Sequence, residues 1–358
     1  MITFPKRRLT EIRSVPDIAP LAHRLKCAFC SHSLTVRTLG FHPGSRGSIP
    51  RVSTNNFDDN KDLRNMGLID NYSKLCGNTP LVKINDNLYA KLETYSPTGS
   101  VKDRMISYVV SKAIASGKVG PFSGKYLCEA TSGNTGIALS AVAAALGLEC
   151  IIFMPSNMSE ERKQMMRIYG ATIIDAPPND FEEAIRMRDE FLGLNVHAWS
   201  PMQFSNQDNV ECHEVITAKE INDQVVMLGK KWGAFIHGSG TGGTIEGVRR
   251  YCKNNLTGTK VVMTIPAETP HGIQGIGDGR DFLANPDEMD DTVIVKTQDA
   301  IDRAERFANE TGLLVGISSG ANILAAEEYL LNNNIDDECI AVTILCDRGE
   351  RYLSVYKK

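Results

Sequence analysis

Three short loops hold the residue types that could do chemistry. In Ser96-Pro97-Thr98-Gly99-Ser100-Val101-Lys102-Asp103-Arg104, a lysine falls at the first turn of an apolar helical pattern. That position disfavours a cation, so Lys102 is either a surface residue partnered by Asp103 or a side chain held there for its amine. In Glu129-Ala130-Thr131-Ser132-Gly133-Asn134-Thr135-Gly136, small hydroxyl residues and glycines lie between a strand and a buried helix. Such a loop can aim several N–H groups at a carboxylate or phosphate, though the same residues are also common helix caps. Gly238-Ser239-Gly240-Thr241-Gly242-Gly243-Thr244 again joins a strand to a helix, with four glycines in seven residues. It lacks the Lys-Ser/Thr pair of a nucleotide P-loop. Gly238, Gly240 and Gly243 fit a dinucleotide spacing, but no acidic ribose partner is evident, so a phosphate monoester suits the loop better.

The elements needed to position these loops follow from periodicity. Leu81–Ile84 and Leu88–Leu92 read as a hairpin about Asn85-Asp86-Asn87. Strands are expected at Tyr126–Ala130, Cys150–Met154, Thr172–Asp175, Val196–Trp199, Ala234–His237, Val261–Ile265, Val293–Val295 and Ile340–Leu345. Helices are expected at Lys102–Ser116, ended by Gly117, at Thr135–Leu146, closed by Gly147, and at Asp180–Leu192. A further helix is capped by Ser159 and stopped by Gly170, and others lie near 208–225, 243–254, 298–310 and 320–332. Apolar strands alternating with helices mean parallel sheets covered on both faces, and 358 residues suffice for two such α/β domains. The expected division is a basic extension over 1–66, an N-terminal α/β domain over 67–205 carrying the first two loops, and a C-terminal α/β domain over 206–358 carrying the third.

Composition narrows the classes. A net charge of −4 gives no general pull toward nucleic acid, and the longest apolar stretch, Ile137–Leu146, is too short to span a bilayer. The nine cysteines show no disulfide framework, which favours a reducing compartment. Residues 1–57 carry nine Lys or Arg against two acidic residues, so the extension is basic while the body is acidic. It reads as a disordered arm or an organellar transit segment, giving a cytoplasmic or organellar location. His23, Cys27, Cys30 and His32 fall within ten residues of it, a zinc-type ligand set with only one half-site; no metal is assigned.

A reactive lysine, an anion nest and a phosphate cradle together describe a pyridoxal 5'-phosphate enzyme. The motifs P-x-G-S-V-K-D-R, T-S-G-N-T-G and G-T-G-G-T also resemble the cysteine synthase and cystathionine β-synthase family, fold-type II pyridoxal phosphate enzymes with two doubly wound, tryptophan synthase β-like domains. The likeness runs from Cys76-Gly77-Asn78-Thr79-Pro80 to Arg351-Tyr352-Leu353-Ser354, and the tail from Cys346 looks like the cysteine synthase B type. Ala130 departs from the family's usual proline, and Pro266-Ala267-Glu268 from its common form.

The resemblance implies that Lys102 forms the Schiff base and moves the α-proton. Asn134 would meet the cofactor's 3′-oxygen, Gly240, Thr241, Gly242, Gly243 and Thr244 the phosphate, and Ser318 the pyridine nitrogen. Thr131, Ser132, Gly133, Thr135 and Gln203 would hold the substrate carboxylate. It further implies a homodimer that replaces the β-group of an activated serine with sulfide or another thiol, through an aminoacrylate, to give L-cysteine. Cystathionine β-synthase chemistry and a catalytically idle scaffold are the alternatives.

Overall fold

The computed structural model describes residues 72–120, 124–256, 258–277 and 282–356, which belong to one compact unit. The expected extension over 1–66, with its His23, Cys27, Cys30 and His32, lies outside the described residues. Among the described residues, no helix is long and apolar enough to cross a membrane.

Two sheets carry the site. The four-stranded sheet has the order β5 (Thr172–Ala176), β4 (Glu149–Pro155), β3 (Tyr126–Ala130), β6 (Ala198–Trp199), all parallel. The six-stranded sheet has the order β1 (Leu81–Lys83), β2 (Leu88–Leu92), β10 (Cys339–Leu345), β7 (Lys231–Gly238), β8 (Lys260–Pro266), β9 (Asp291–Val295). It is parallel except for the β1–β2 hairpin. Here the sequence division needs correcting. The hairpin, placed in the first domain by its position in the chain, extends the second sheet, because β2 pairs with β10 from Leu88↔Ala341 to Leu92↔Leu345. Leu88, Ala90 and Leu92 are buried, so the strand needs a covered sheet to join, and β10 supplies the open edge.

Helices follow the apolar pattern. α1 (Lys102–Ala115) buries Met105, Ile106, Val109 and Val110 against α2 (Asn134–Leu146) and the strand residues Leu127, Cys150, Ile152 and Met154. Each large aliphatic side chain so removed from water contributes about 1.5–3 kcal/mol. The other face takes α4 (Phe181–Leu194), whose Phe191 packs on Tyr126 and Phe153. In the six-stranded sheet the strand residues alternate: Ala234, Ile236 and Val262 face one apolar cluster, and Phe235, Val261 and Met263 the other.

Two local expectations fail for physical reasons. Ser159 precedes α3 (Glu160–Ile168) but its hydroxyl makes no capping bond, the first turn being supplied with Glu160 and Glu161, which suit the helix dipole. Asp180 does cap α4, accepting from Glu183 N at 2.9 Å. The helix expected near 208–225 is three pieces: α5 (Gln207–Cys212), a π-helical turn (His213–Ala218) and α6 (Lys219–Met227). That turn has no signature in apolar spacing, and such turns often mark functional sites. α7 (Gly243–Asn255), α8 (Thr297–Thr311) and α9 (Ile317–Asn332) complete the described helices of the second half.

Candidate active site

Lys102 opens α1, and its loop is set from two sides. Asp103 is not a surface dipole partner but a buried clamp. It accepts from Thr98 N and Ser100 N, both at 3.2 Å, from Thr98 Oγ1 at 2.8 Å and from Tyr72 Oη at 2.8 Å. Burial pushes its carboxyl pKa up, against the pull of these bonds. From the other side comes the segment after β10: Val101 N donates to Cys346 O at 2.8 Å, and Arg351 Nη1 to Gly99 O at 2.7 Å. Among the described residues no hydrogen bond or ion pair engages the Lys102 ammonium. Burial lowers its pKa, while Cys346, Asp347 and Glu93 draw it back upward. An enclosed, unpaired lysine with a depressed pKa is an amine available as a nucleophile.

The next residue, Arg104, fixes α1 to the six-stranded sheet. Its guanidinium is held by Glu93 at 2.7 and 2.8 Å and by Glu220 at 2.8 and 3.0 Å. Lys91 completes the buried quartet by pairing with Glu220, whose carboxyl these partners hold down at about 2 despite burial.

β3 delivers the second loop at its carboxyl end, where open α/β sheets place ligands. Glu129, fully buried, pairs with Arg188 at 2.6 Å and accepts from Gln203 N at 3.0 Å. Met202, just before Gln203, has φ of 52°, a left-handed conformation costly for a non-glycine residue. The bend turns Gln203 onto the loop: its Nε2 donates to Ala130 O at 3.1 Å and its Oε1 accepts from Thr135 Oγ1 at 2.6 Å. Thr131, Gly133 and Thr135 are buried, and Ser132 is exposed. Asn134 donates from Nδ2 to Asp347 Oδ2 at 2.6 Å, leaving its own Oδ1 buried without a partner.

β7 delivers the third loop at the amino end of α7. Gly242 sits at φ 87° with Ala284 so near that a Cβ would lie 2.5 Å from its nitrogen, so only glycine is accommodated. Asn209 of α5 crosses to this loop, donating to Gln203 O at 2.9 Å and Thr241 Oγ1 at 3.0 Å. It thereby links the second loop to the third. Thr244 Oγ1 meets His213 Nε2 at 3.2 Å, which is what the π-helical turn accomplishes. Ser318, buried in the first turn of α9, lies beside Cys346, whose thiol burial pushes up to about 12. His213 and His237 are buried and held neutral: burial, then the Lys102 charge, lowers the His237 pKa to about 3 and drives that of His213 well below its usual value.

The structure thus gathers the residues singled out in the sequence. Asn134 bonds Asp347, Ser318 lies beside Cys346, and the charges of that pair are felt at Lys102, while Gln203 and Thr241 are linked through Asn209, Thr135 through Gln203, and Thr244 through His213. Asn209, His213 and Asp347 are not among the residues that the loop motifs mark. Asp347 lay within the family-like tail; the others carried no motif signal. An amine without a partner among the described residues and a glycine loop opening a 13-residue helix fit an aldehyde-bearing phosphate ester such as pyridoxal phosphate.

Known proteins agree. The family model for pyridoxal-phosphate dependent enzymes matches residues 72–347. A Staphylococcus aureus cysteine synthase is 36% identical over 305 residues, covering 80% of this chain and 96% of that protein. The chain belongs to the cysteine synthase and cystathionine β-synthase family. Among solved structures of this fold-type II class, a hydrogen sulfide-producing enzyme from Fusobacterium nucleatum is 36% identical with a TM-score of 0.73, over 81% of this chain and 91% of that one. An O-acetylserine dependent cystathionine β-synthase from Helicobacter pylori is 31% identical with a TM-score of 0.73, over 79% and 96%. The protein is therefore a pyridoxal phosphate-dependent transferase of the β-replacement type.

Proposed function

We propose that this enzyme replaces the β-substituent of an O-activated L-serine, of the O-acetylserine class, with sulfide or a small thiol to form L-cysteine, as a homodimer. The observation that carries the reading is the Lys102 amine, without a hydrogen-bond or ion-pair partner among the described residues and with its pKa lowered by burial, in a chain that also carries a glycine loop opening a 13-residue helix. Pyridoxal phosphate, when bound, supplies the electron sink that makes the substrate's α-proton acidic. Lys102 would hold the cofactor aldehyde and would serve as the base and acid for the proton at Cα, its depressed pKa making the neutral amine accessible. The N–H groups and hydroxyls of Gly240–Thr244 take the phosphate at the α7 amino end.

Asn134 would donate to the 3′-oxygen. Ser318 would offer the pyridine nitrogen a hydroxyl, which would not hold it protonated as an aspartate would, and this would favour β-elimination over transamination. Thr131–Thr135 with Gln203 orient the substrate carboxylate. The thiol needs no protein base, since it is already partly ionised near neutral pH.

Homocysteine as acceptor is the second reading, favoured by the likeness to the H. pylori protein. The deciding experiment offers the cofactor-loaded protein O-acetylserine, O-phosphoserine or serine, each with sulfide, thiosulfate or homocysteine, and identifies the product. Cysteine from O-acetylserine and sulfide is expected. Cystathionine as the dominant product would move the assignment to the second reading, and no turnover of any pair would overturn both.

A further inference from the structure

Asn134 and Asp347, 213 positions apart, share one of the closest contacts of the site. Asp347 is fully buried, and its Oδ2 accepts from Asn134 Nδ2 and from Tyr352 Oη, each at 2.6 Å. Its Oδ1 has no partner and abuts Gly316, where a Cβ would lie 2.0 Å away. The carboxylate therefore packs directly against the one residue type that leaves space for it. The Tyr352 ring is in turn covered by the guanidinium of Arg162, 4.8 Å from its centroid. Arg162, itself buried, reaches back to Ser132 O at 3.4 Å. The connections close a ring: Ser132, Arg162, Tyr352, Asp347, Asn134.

The two ends of a carboxamide have nearly the same shape, and only their partners decide which way the group faces. A serine or an amide at position 347 would accept or donate and leave that choice open. A carboxylate is an acceptor and admits only the nitrogen. We propose that Asp347, braced by Tyr352 and Arg162, is a positioning residue that sets the Asn134 amide with its nitrogen committed and its second Nδ2 proton left as donor. Resting on the reading of Asn134 given above, that proton is the one offered to the 3′-oxygen of pyridoxal phosphate. The charge of Asp347 is also felt at Lys102, which places the carboxylate at the reacting end of the site.

The test titrates the full-length protein, freed of cofactor, with pyridoxal phosphate and with its 3-deoxy analogue, following tryptophan fluorescence. D347N should weaken capture of pyridoxal phosphate about tenfold and of the analogue by less than about twofold, the size expected for losing one well-aimed hydrogen bond. In an N134A background, D347N should alter neither affinity. Equal weakening toward both ligands, or an undiminished effect without Asn134, would overturn the positioning role. Failure of the unsubstituted protein to bind pyridoxal phosphate at all would instead overturn the reading of the site. Should D347N not fold, Y352F carries the same test, removing one bond to Asp347: about threefold weaker capture of pyridoxal phosphate is expected, with none for the analogue. Equal weakening there counts against the proposal in the same way.

Discussion

Along Gly238–Thr244 the main chain is held mostly by other main chain: Gly277 N donates to Ser239 O at 2.8 Å and Leu283 N to Thr241 O at 3.1 Å, with Gly238 N donating to Asn322 Oδ1 at 2.9 Å. Along Thr131–Thr135 the contacts come mostly from side chains, those of Gln203, Asp347 and Arg162, and Ser132 is left exposed. Both loops follow a parallel strand and lead into a helix, so their sequences look alike. Their construction differs. A loop packed backbone to backbone has one shape and tolerates no added atom, whereas a loop hung on side chains can be retuned by single substitutions. The first arrangement suits a ligand that stays, the second a ligand that is exchanged at every turnover.

The sharpest probe sits between the two loops. K102A should lower turnover by more than about a thousandfold, since it removes the only group assigned to covalent and proton-transfer work, while the melting temperature holds or rises as an unpaired, partly desolvated amine is lost. Retained turnover would remove Lys102 from the mechanism. G242A tests the rigid loop: an added Cβ meets Ala284, and affinity for pyridoxal phosphate should fall about a hundredfold with the secondary structure intact. A loss below about threefold would show that this loop yields, and the contrast would be gone. T135V tests the other loop, deleting the hydroxyl that donates to Gln203. KM for the amino-acid substrate should rise about tenfold, with cofactor affinity unchanged. If cofactor affinity falls instead, the two loops are not independent.

The smallest expected effect is on pH dependence. His213 and His237 have folded pKa values below the unfolded value of about 6.5, so the unfolded chain takes up protons first as the solution is acidified. Their contribution is complete above pH 6.5 and is lost progressively toward the folded value, about 3 for His237. Stability of the cofactor-free protein should therefore begin to decline below pH 6.5, before carboxylates titrate. H237N should flatten that part of the profile; an unchanged slope would mean the imidazole is not the group responsible.

Much of this architecture is written in local pattern. The strand and helix periods, the three loops and Lys102 are all legible, because each depends on neighbours within a few residues. What is hidden depends on partners far along the chain. The role of Asp103 as a clamp needs Thr98, Ser100 and Tyr72 in place; the aim of Asn134 needs Asp347. The pairing of β2 with β10 is invisible to periodicity, as a buried strand reads the same in either sheet. The π-helical turn at His213 is likewise silent, since a stretch of six residues is too short to show a period of its own.

The stitching of Gly99 to Arg351 spans 252 residues, and β2 waits on β10 for its neighbour. During synthesis, then, Lys102 emerges from the ribosome long before the partners that shape its surroundings. The nascent polypeptide has no finished pocket in which to capture vitamin until residue 351 has been translated, and the hairpin edge needs shielding in the interim.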